Sequence, residues 1–439
     1  MNGPLRALRG RLLSFVDDPA VVGGDAATRY AEDGLLLIRD GRIAAAGEAS
    51  DLLGDLPPGT PVDDHRPCLL LPGLIDAHIH FPQTQVIASY GAQLLDWLQT
   101  YTFVEEQRFD DPAHAAAVAT FFLDELLRHG TTTAVVYGSV HPGSVDALFA
   151  EAERRRLRLI AGKVMMDRNA PEALTDTAER GARETAELIA RWQGKGRLGY
   201  AIAPRFAVTS TDAQLAAAGE LLRAHPDCWL QTHLSENQDE IATVARLFPW
   251  ASDYTDVYDR YGLLGPRSLF GHCLHLSERE LKRLSEISSV AVFCPTSNLF
   301  IGSGLFDLAR MRAPERPVRV ALATDVGGGT SYSMLRTAAE GYKVLQLRGQ
   351  NWPPREALYA MTLGNARALG LESEIGTLEV GSAADLVVLD AHATPAMTHR
   401  MARAEELDEE LFALVTLGDE RAVRSVYVAG EPVTPVRAS

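Results

Sequence analysis

His78 and His80, in the run LLLPGLIDAHIHFPQTQ, place two imidazoles two residues apart in a stretch that reads as an apolar β-strand. Side chains alternate sides along a strand, so an H-x-H pair points both rings the same way, as a metal site at a strand end requires. One such pair carries little information alone. Three further residues of ligand type give it weight: His233 in LQTHLSEN, His272 in LFGHCL and Asp325 in LATDVGGG, each closing its own short apolar run. Neutral imidazoles with one carboxylate form a borderline donor set that suits Zn2+, and the ligand types also admit Fe2+.

Such residues need a scaffold that brings distant segments together. Eight short apolar runs lie between residues 70 and 370: LLLPGLIDAHIH, TTTAVVYG, LRLIAGKVMM, LGYAIAPRF, CWLQTHLSE, SLFGHCL, VAVFCPTSN and VRVALATDV. Helical patterns fill the gaps, among them AHAAAVATFFLDELLRHG, with Gly130 placed as a stop, and SVDALFAEAERRR. Strands alternating with helices in this number predict an α/β fold, a closed (β/α)8 TIM-type barrel. The five ligand-type residues end the first, fifth, sixth and eighth runs, on the rim where such barrels carry their active sites. Residues 1–69 and 372–439 instead read as short strands and hairpin turns (LLLIRDGRIAAAGE, VRSVYVAGEPV). They are expected to pair into one small β-sandwich beside a barrel spanning residues 70–371.

The 439 residues carry a formal net charge of −16 and no Lys/Arg block, which argues against nucleic acid or anionic membrane as partners. Cys68, Cys228, Cys273 and Cys294 are scattered in or beside apolar runs without a C-x-x-C spacing, as expected of free thiols in a reducing compartment. MNGPLRALRGRLLSFVDDP bears arginines but no uninterrupted apolar stretch or cleavage site, and no run reaches the roughly 18 apolar residues of a spanning helix. A soluble, cytoplasmic protein is the expectation.

The order H-x-H, His, His, Asp on a barrel, together with GTLEVGSAADLVVLD near the C-terminus, resembles the amidohydrolase superfamily of metal-dependent hydrolases. Within it, PGLIDAHIHFPQTQ, GAQLLDWLQTYTF, HGTTTAVVYG, AGKVMMDRNAP, APRFAVTS, THLSEN, FCPTSNLFIGSGLF and ATDVGGGTS resemble the branch that deaminates guanine. The likeness runs from about residue 70 to the end of the chain. It implies a zinc-dependent aminohydrolase converting guanine and water to xanthine and ammonia, built as a homodimer. Superfamily members with two metals bridge them with a Lys ending the fourth strand. LGYAIAPRF has none, so one Zn2+ is expected, and Lys163 in the third run reads as a solvated or barrel-interior partner.

A bound Zn2+ lowers the pKa of its water toward about 7, supplying hydroxide able to attack an amidine-like ring carbon, here C2 of guanine. Expelling ammonia also needs a positioned acid for the ring nitrogen and then the amine. Glu236, three residues after His233, is the candidate, and the resemblance assigns it the same proton shuttle; a first-turn helical Glu is the plainer alternative. His272 is expected near both the attacking water and the substrate. Asp325 is either a direct ligand or the base for the water proton. Asp76 shares the strand face of His78 and His80 two residues deeper, where hydrogen bonding is the expected role.

The resemblance gives the purine contacts to Gln83, Arg205 and Phe206. Guanine offers acceptors O6 and N7 on one edge, which an Arg fork satisfies, and a mismatched ring loses about 1–3 kcal/mol per bidentate contact. Rim salt-bridge and loop roles are the plainer alternatives for Arg205 and Gln83. A second HLSE, His275 to Glu278, is set aside because Ser277 and Glu280 have capping-box spacing. His141 and Trp97 receive no role. Two rivals stand beside this expectation: an aminohydrolase of oxidised guanine, a pterin or a triazine, and a metal-free barrel serving as a scaffold. A cytidine-deaminase type lacks its P-C-x-x-C motif here.

Overall fold

The computed structural model describes residues 5–91 and 93–433. Four strands come first: β1 (Arg6–Phe15), β2 (Thr28–Arg39), β3 (Arg42–Glu48) and β4 (Val62–Pro72). Nine follow: β5 (Leu74–His80), β6 (Thr131–Tyr137), β7 (Arg158–Gly162), β8 (Val164–Met165), β9 (Leu198–Pro204), β10 (Trp229–Leu234), β11 (Ser268–His272), β12 (Val290–Phe293) and β13 (Arg319–Leu322). Near the C-terminus lie β14 (Leu386–Leu389), β15 (Val423–Val428) and β16 (Glu431–Val433). The arginine-bearing stretch near the N-terminus forms β1 from Arg6 onward; residues 1–4 lie outside the described residues.

Eight parallel strands pair in the order β5-β6-β7-β9-β10-β11-β12-β13 and form a nearly closed TIM-type barrel. Strands such as β5 and β6 are buried along their whole length, so they read as continuous apolar runs rather than alternating ones. The helix Pro112–Arg128 shows how the outer layer is specified. Asp111 caps its first turn by accepting from Ala113 N at 2.9 Å, a proline follows, and Ala115, Val118, Ala119, Phe122 and Leu126 form the buried stripe. Gly130, at φ 81°, then takes the left-handed conformation that ends it.

The seam between the first and eighth strands is bridged at three levels. Near the rim, His80 N donates to Val326 O at 2.8 Å and Asp325 N to His78 O at 2.9 Å. Deeper, the buried Asp76 carboxylate accepts from Thr324 N at 3.1 Å and from the Thr324 hydroxyl, while His78 N donates to it at 3.2 Å. Below that, the buried Asn365 amide donates to Ile75 O at 2.7 Å and Leu322 O at 2.8 Å and accepts from Leu322 N at 2.8 Å.

The third apolar run breaks at Lys163, between β7 and β8. Its side chain is wholly buried, donates to Asp176 and lies 3.3 Å from Glu184 Oε2, so this lysine is an interior ion-pair partner.

The two ends of the chain form the second, seven-stranded sheet, ordered β16-β15-β14-β4-β1-β2-β3. β4 sits between β1, parallel to it, and β14, antiparallel, and so joins the N- and C-terminal contributions.

Candidate active site

β5 ends in His78 and His80, whose Nε2 atoms lie 3.2 Å apart. His233, near the end of β10, brings its Nε2 to 3.3 Å from that of His80. Asp325, just past β13, places Oδ1 3.4 Å from His78 Nε2 and 3.2 Å from His80 Nε2. His233 Nδ1 donates to Arg205 O at 2.7 Å, so its Nε2 carries a lone pair. Gly271 makes room for this cluster, because a Cβ there would stand 2.7 Å from His78 Cε1.

Several lone pairs converging without donors between them are mutually repulsive unless a cation sits among them. Ligands about 2.0–2.1 Å from a tetrahedral Zn2+ stand roughly 3.3 Å from one another, and these atoms match that spacing. The four residues are buried and fit a metal ion. Burial pushes the His80 pKa down to about 3 and holds that of His233 well below the usual range, so both rings are neutral, as ligation requires. Burial acts to raise the Asp325 pKa, but the neighbouring His78 and His80 imidazoles outweigh it and keep the carboxylate ionised. A second, overlapping group adds Cys294 to His272 and Asp325; burial keeps that thiol protonated.

His272 ends β11 in the left-handed region at φ 71°, and Asp325 is there too at φ 52°. Strained backbone of this kind concentrates at functional sites. Here it aims side chains at one point: His272 Nε2 lies 3.3 Å from Glu236 Oε2 and 3.8 Å from Asp325 Oδ2. Glu236 precedes the helix Gln238–Leu247, whose cap is Asn237 and whose capping box is closed by Glu240. Glu236 is thus a loop residue facing the site, not a first-turn helical one. Burial, reinforced by the Asp325 charge, pushes its pKa up to about 8.

A pocket opens over this cluster. Gln83, Arg205 and Phe206 line it with His80, His233, His272, Glu236 and Asp325, so the structure brings every expected site residue except the deeper His78 to one cavity wall. Trp97 joins them with Leu94 and Leu98, its indole N–H donating to Ser89 O at 3.1 Å. His141 does not line the pocket; it precedes the helix Pro142–Arg154, with Nδ1 3.5 Å from Asp110 Oδ1. In the second HLSE, Ser277 and Glu280 form the capping box their spacing indicates.

Three residues of the site escaped the sequence reading. Asn298 Oδ1 lies 2.8 Å from His272 Nδ1, and Ser303 Oγ donates to Glu236 Oε1 at 3.0 Å. Both stand in FCPTSNLFIGSGLF, quoted above only for its likeness. Glu106, 1% exposed, ion-pairs with Arg205 at 2.8 Å and accepts from Gln83 Nε2 at 3.2 Å. Its only signal was a carboxylate three residues past an apolar helical stretch.

A metal-ligand cluster on the rim of a TIM-type barrel, with the two ends of the chain paired in a separate sheet, defines a metal-dependent hydrolase. Residues 69–433 match the Amidohydrolase family, and the chain belongs to it. It is 48% identical over 432 residues to a guanine deaminase of Escherichia coli (strain K12), covering 98% of each chain. The solved E. coli guanine deaminase superimposes with a TM-score of 0.95 at 47% identity, over 98% of this chain and 99% of that one. A guanine deaminase from C. acetobutylicum with bound guanine in its active site superimposes at 0.87 and 27% identity, over 98% of this chain and all of the other.

Proposed function

We propose that this chain is a guanine deaminase, hydrolysing guanine to xanthine and ammonia. The observation that carries this is the placement of Glu236, His272 and Asp325 around the His78, His80, His233 group, in a pocket also lined by Gln83, Arg205 and Phe206. Near-full-length similarity to guanine deaminases supports the substrate.

His78, His80, His233 and Asp325 would hold one Zn2+ per subunit, which supplies Lewis acidity that lowers the pKa of water toward about 7. The neutral Cys294 thiol and a fourth strand without lysine support a single ion. Arg205 and Gln83 orient the purine by its O6 and N7 edge, Phe206 and Trp97 close the pocket, and C2 comes to face the metal group. Asp325 divides its work: Oδ1 faces the imidazoles, whereas Oδ2 faces His272 and can take a proton from the attacking water. Glu236 carries a proton to the ring nitrogen and then to the departing amine, and a pKa raised to about 8 suits a group that must both accept and donate near neutrality. His272 sits between the two carboxylates and steers water and substrate.

The reading extends to a homodimer in the cytoplasm taking part in purine breakdown, with residues 70–371 as the catalytic unit and 1–69 with 372–439 as the accessory one. The four unpaired cysteines support a reducing compartment, and no helix among the described residues is long and apolar enough to cross a membrane. Ammonia release from guanine by zinc-loaded protein tests the assignment, with adenine, oxidised guanine and a pterin alongside. Release from guanine alone is expected. Activity only on another ring would overturn the substrate, and silence on all with metal bound would return the scaffold reading.

A further inference from the structure

Glu106 does not line the pocket, yet the two polar side chains read above as purine contacts, Gln83 and Arg205, both end on it. Its Oε2 accepts from Arg205 Nη1 at 2.8 Å, and its Oε1 accepts from the same nitrogen at 2.9 Å and from Gln83 Nε2 at 3.2 Å. Gln83 is fixed at its other end too, where Oε1 accepts from Gly327 N at 3.3 Å. The guanidinium also lies 5.4 Å over the ring of Phe103, which shares the short helix Phe103–Glu106 with the carboxylate. Leu94, Trp97 and Leu98, just upstream, form the apolar side of the pocket. One segment between the first barrel strand and the first outer helix therefore supplies both the apolar wall and the anchor of the polar one.

The chemistry of these contacts concerns selectivity. A glutamine amide is a donor on one side and an acceptor on the other, and rotating it exchanges them. In this site a rotated Gln83 would set its oxygen against the Glu106 carboxylate and its NH2 against the Gly327 N–H. An arginine held by one nitrogen on a carboxylate still has free donors on Nη2 and Nε, but in a fixed plane. We propose that Glu106 is a positioning residue for base selectivity: it fixes the donor orientation of Gln83 and the plane of Arg205, so that the pocket presents donors where guanine has O6 and N7. This rests on the guanine deaminase reading and adds to it the residue that sets its discrimination.

The test compares kcat/KM for guanine with that for 2-aminopurine, the same ring without O6, in the parent protein and in Glu106→Gln, with zinc content measured in both. The glutamine keeps the shape but loses the charge and one acceptor. The guanine to 2-aminopurine ratio is expected to fall at least about tenfold, the loss appearing mainly as a higher KM for guanine, with zinc retained. A purely structural role would lower activity on both rings equally, and an unchanged ratio would overturn the proposal. If Glu106→Gln does not accumulate in folded form, Glu106→Asp gives the same readout, because it keeps the charge and retracts the carboxylate by one methylene. A parent protein silent on guanine removes the functional reading and this inference together. A parent active on guanine whose variant keeps the ratio removes the inference alone.

Discussion

Asn298 Oδ1 lies 2.8 Å from His272 Nδ1, an amide acceptor that places the ring proton on Nδ1 and leaves Nε2 facing Glu236 and Asp325. Outer partners of functional imidazoles typically account for about 10–100-fold in activity. Asn298→Ala should lower kcat by that range while zinc content stays that of the parent. Steady-state kinetics with metal analysis checks it.

Glu236→Gln should lose about 10²–10⁴-fold in turnover, the usual worth of a positioned acid–base group, while keeping its metal. Ser303→Ala, which removes one donor to Glu236 Oε1, should cost much less. Equal losses in the two variants, read from single-turnover ammonia release, would contradict the proton-carrier role.

The buried pair of Lys163 and Asp176 bears on stability rather than chemistry. Removing one partner of such a pair costs about 3–5 kcal/mol, because the other charge stays buried. Arg180, 3.1 Å from the same aspartate, places Lys163→Met at the lower end. Adding Asp176→Asn should recover part of the loss, as urea unfolding of the zinc-loaded protein would show.

Glu240 has its pKa pushed from 4.5 to about 7, chiefly by burial. The folded state then binds more protons than the unfolded one between those values. The contribution of this group to stability is full below pH 4.5 and falls away as the pH rises toward 7, at up to about 1.4 kcal/mol per pH unit. Glu240→Gln can still accept from Glu236 N and Asn237 N, so its melting temperature should decline less than that of the parent between pH 5 and 7.5. Parallel pH profiles for the two proteins would contradict the shift.

The barrel was legible because parallel strands buried on both faces are continuous apolar runs, and because four of them end in a histidine or an aspartate. His78, His80, His233 and Asp325 announce themselves through residue type at strand ends. Glu106 and Asn298 do not: they act through contacts between segments far apart in sequence, and a Glu or an Asn in a short helix is common everywhere. Glu236 lies between these cases. Its spacing from His233 suggested it, but only the cap at Asn237 shows that the helix starts after it and leaves its side chain facing the site. The break at Lys163 was hidden for a related reason, since a lysine inside an apolar run gives no sign of the acid that meets it.

The backbone bonds that close the barrel belong to His78, His80 and Asp325 themselves, so the ligand group exists only once the eighth strand has docked against the first. During synthesis the two histidines leave the ribosome long before the aspartate does. Until the last barrel strand follows, the emerging chain offers an ion only an unfinished H-x-H pair. The complete ligand group therefore belongs to the closed barrel and not to its first strand, and a chain ending before Asp325 lacks its carboxylate.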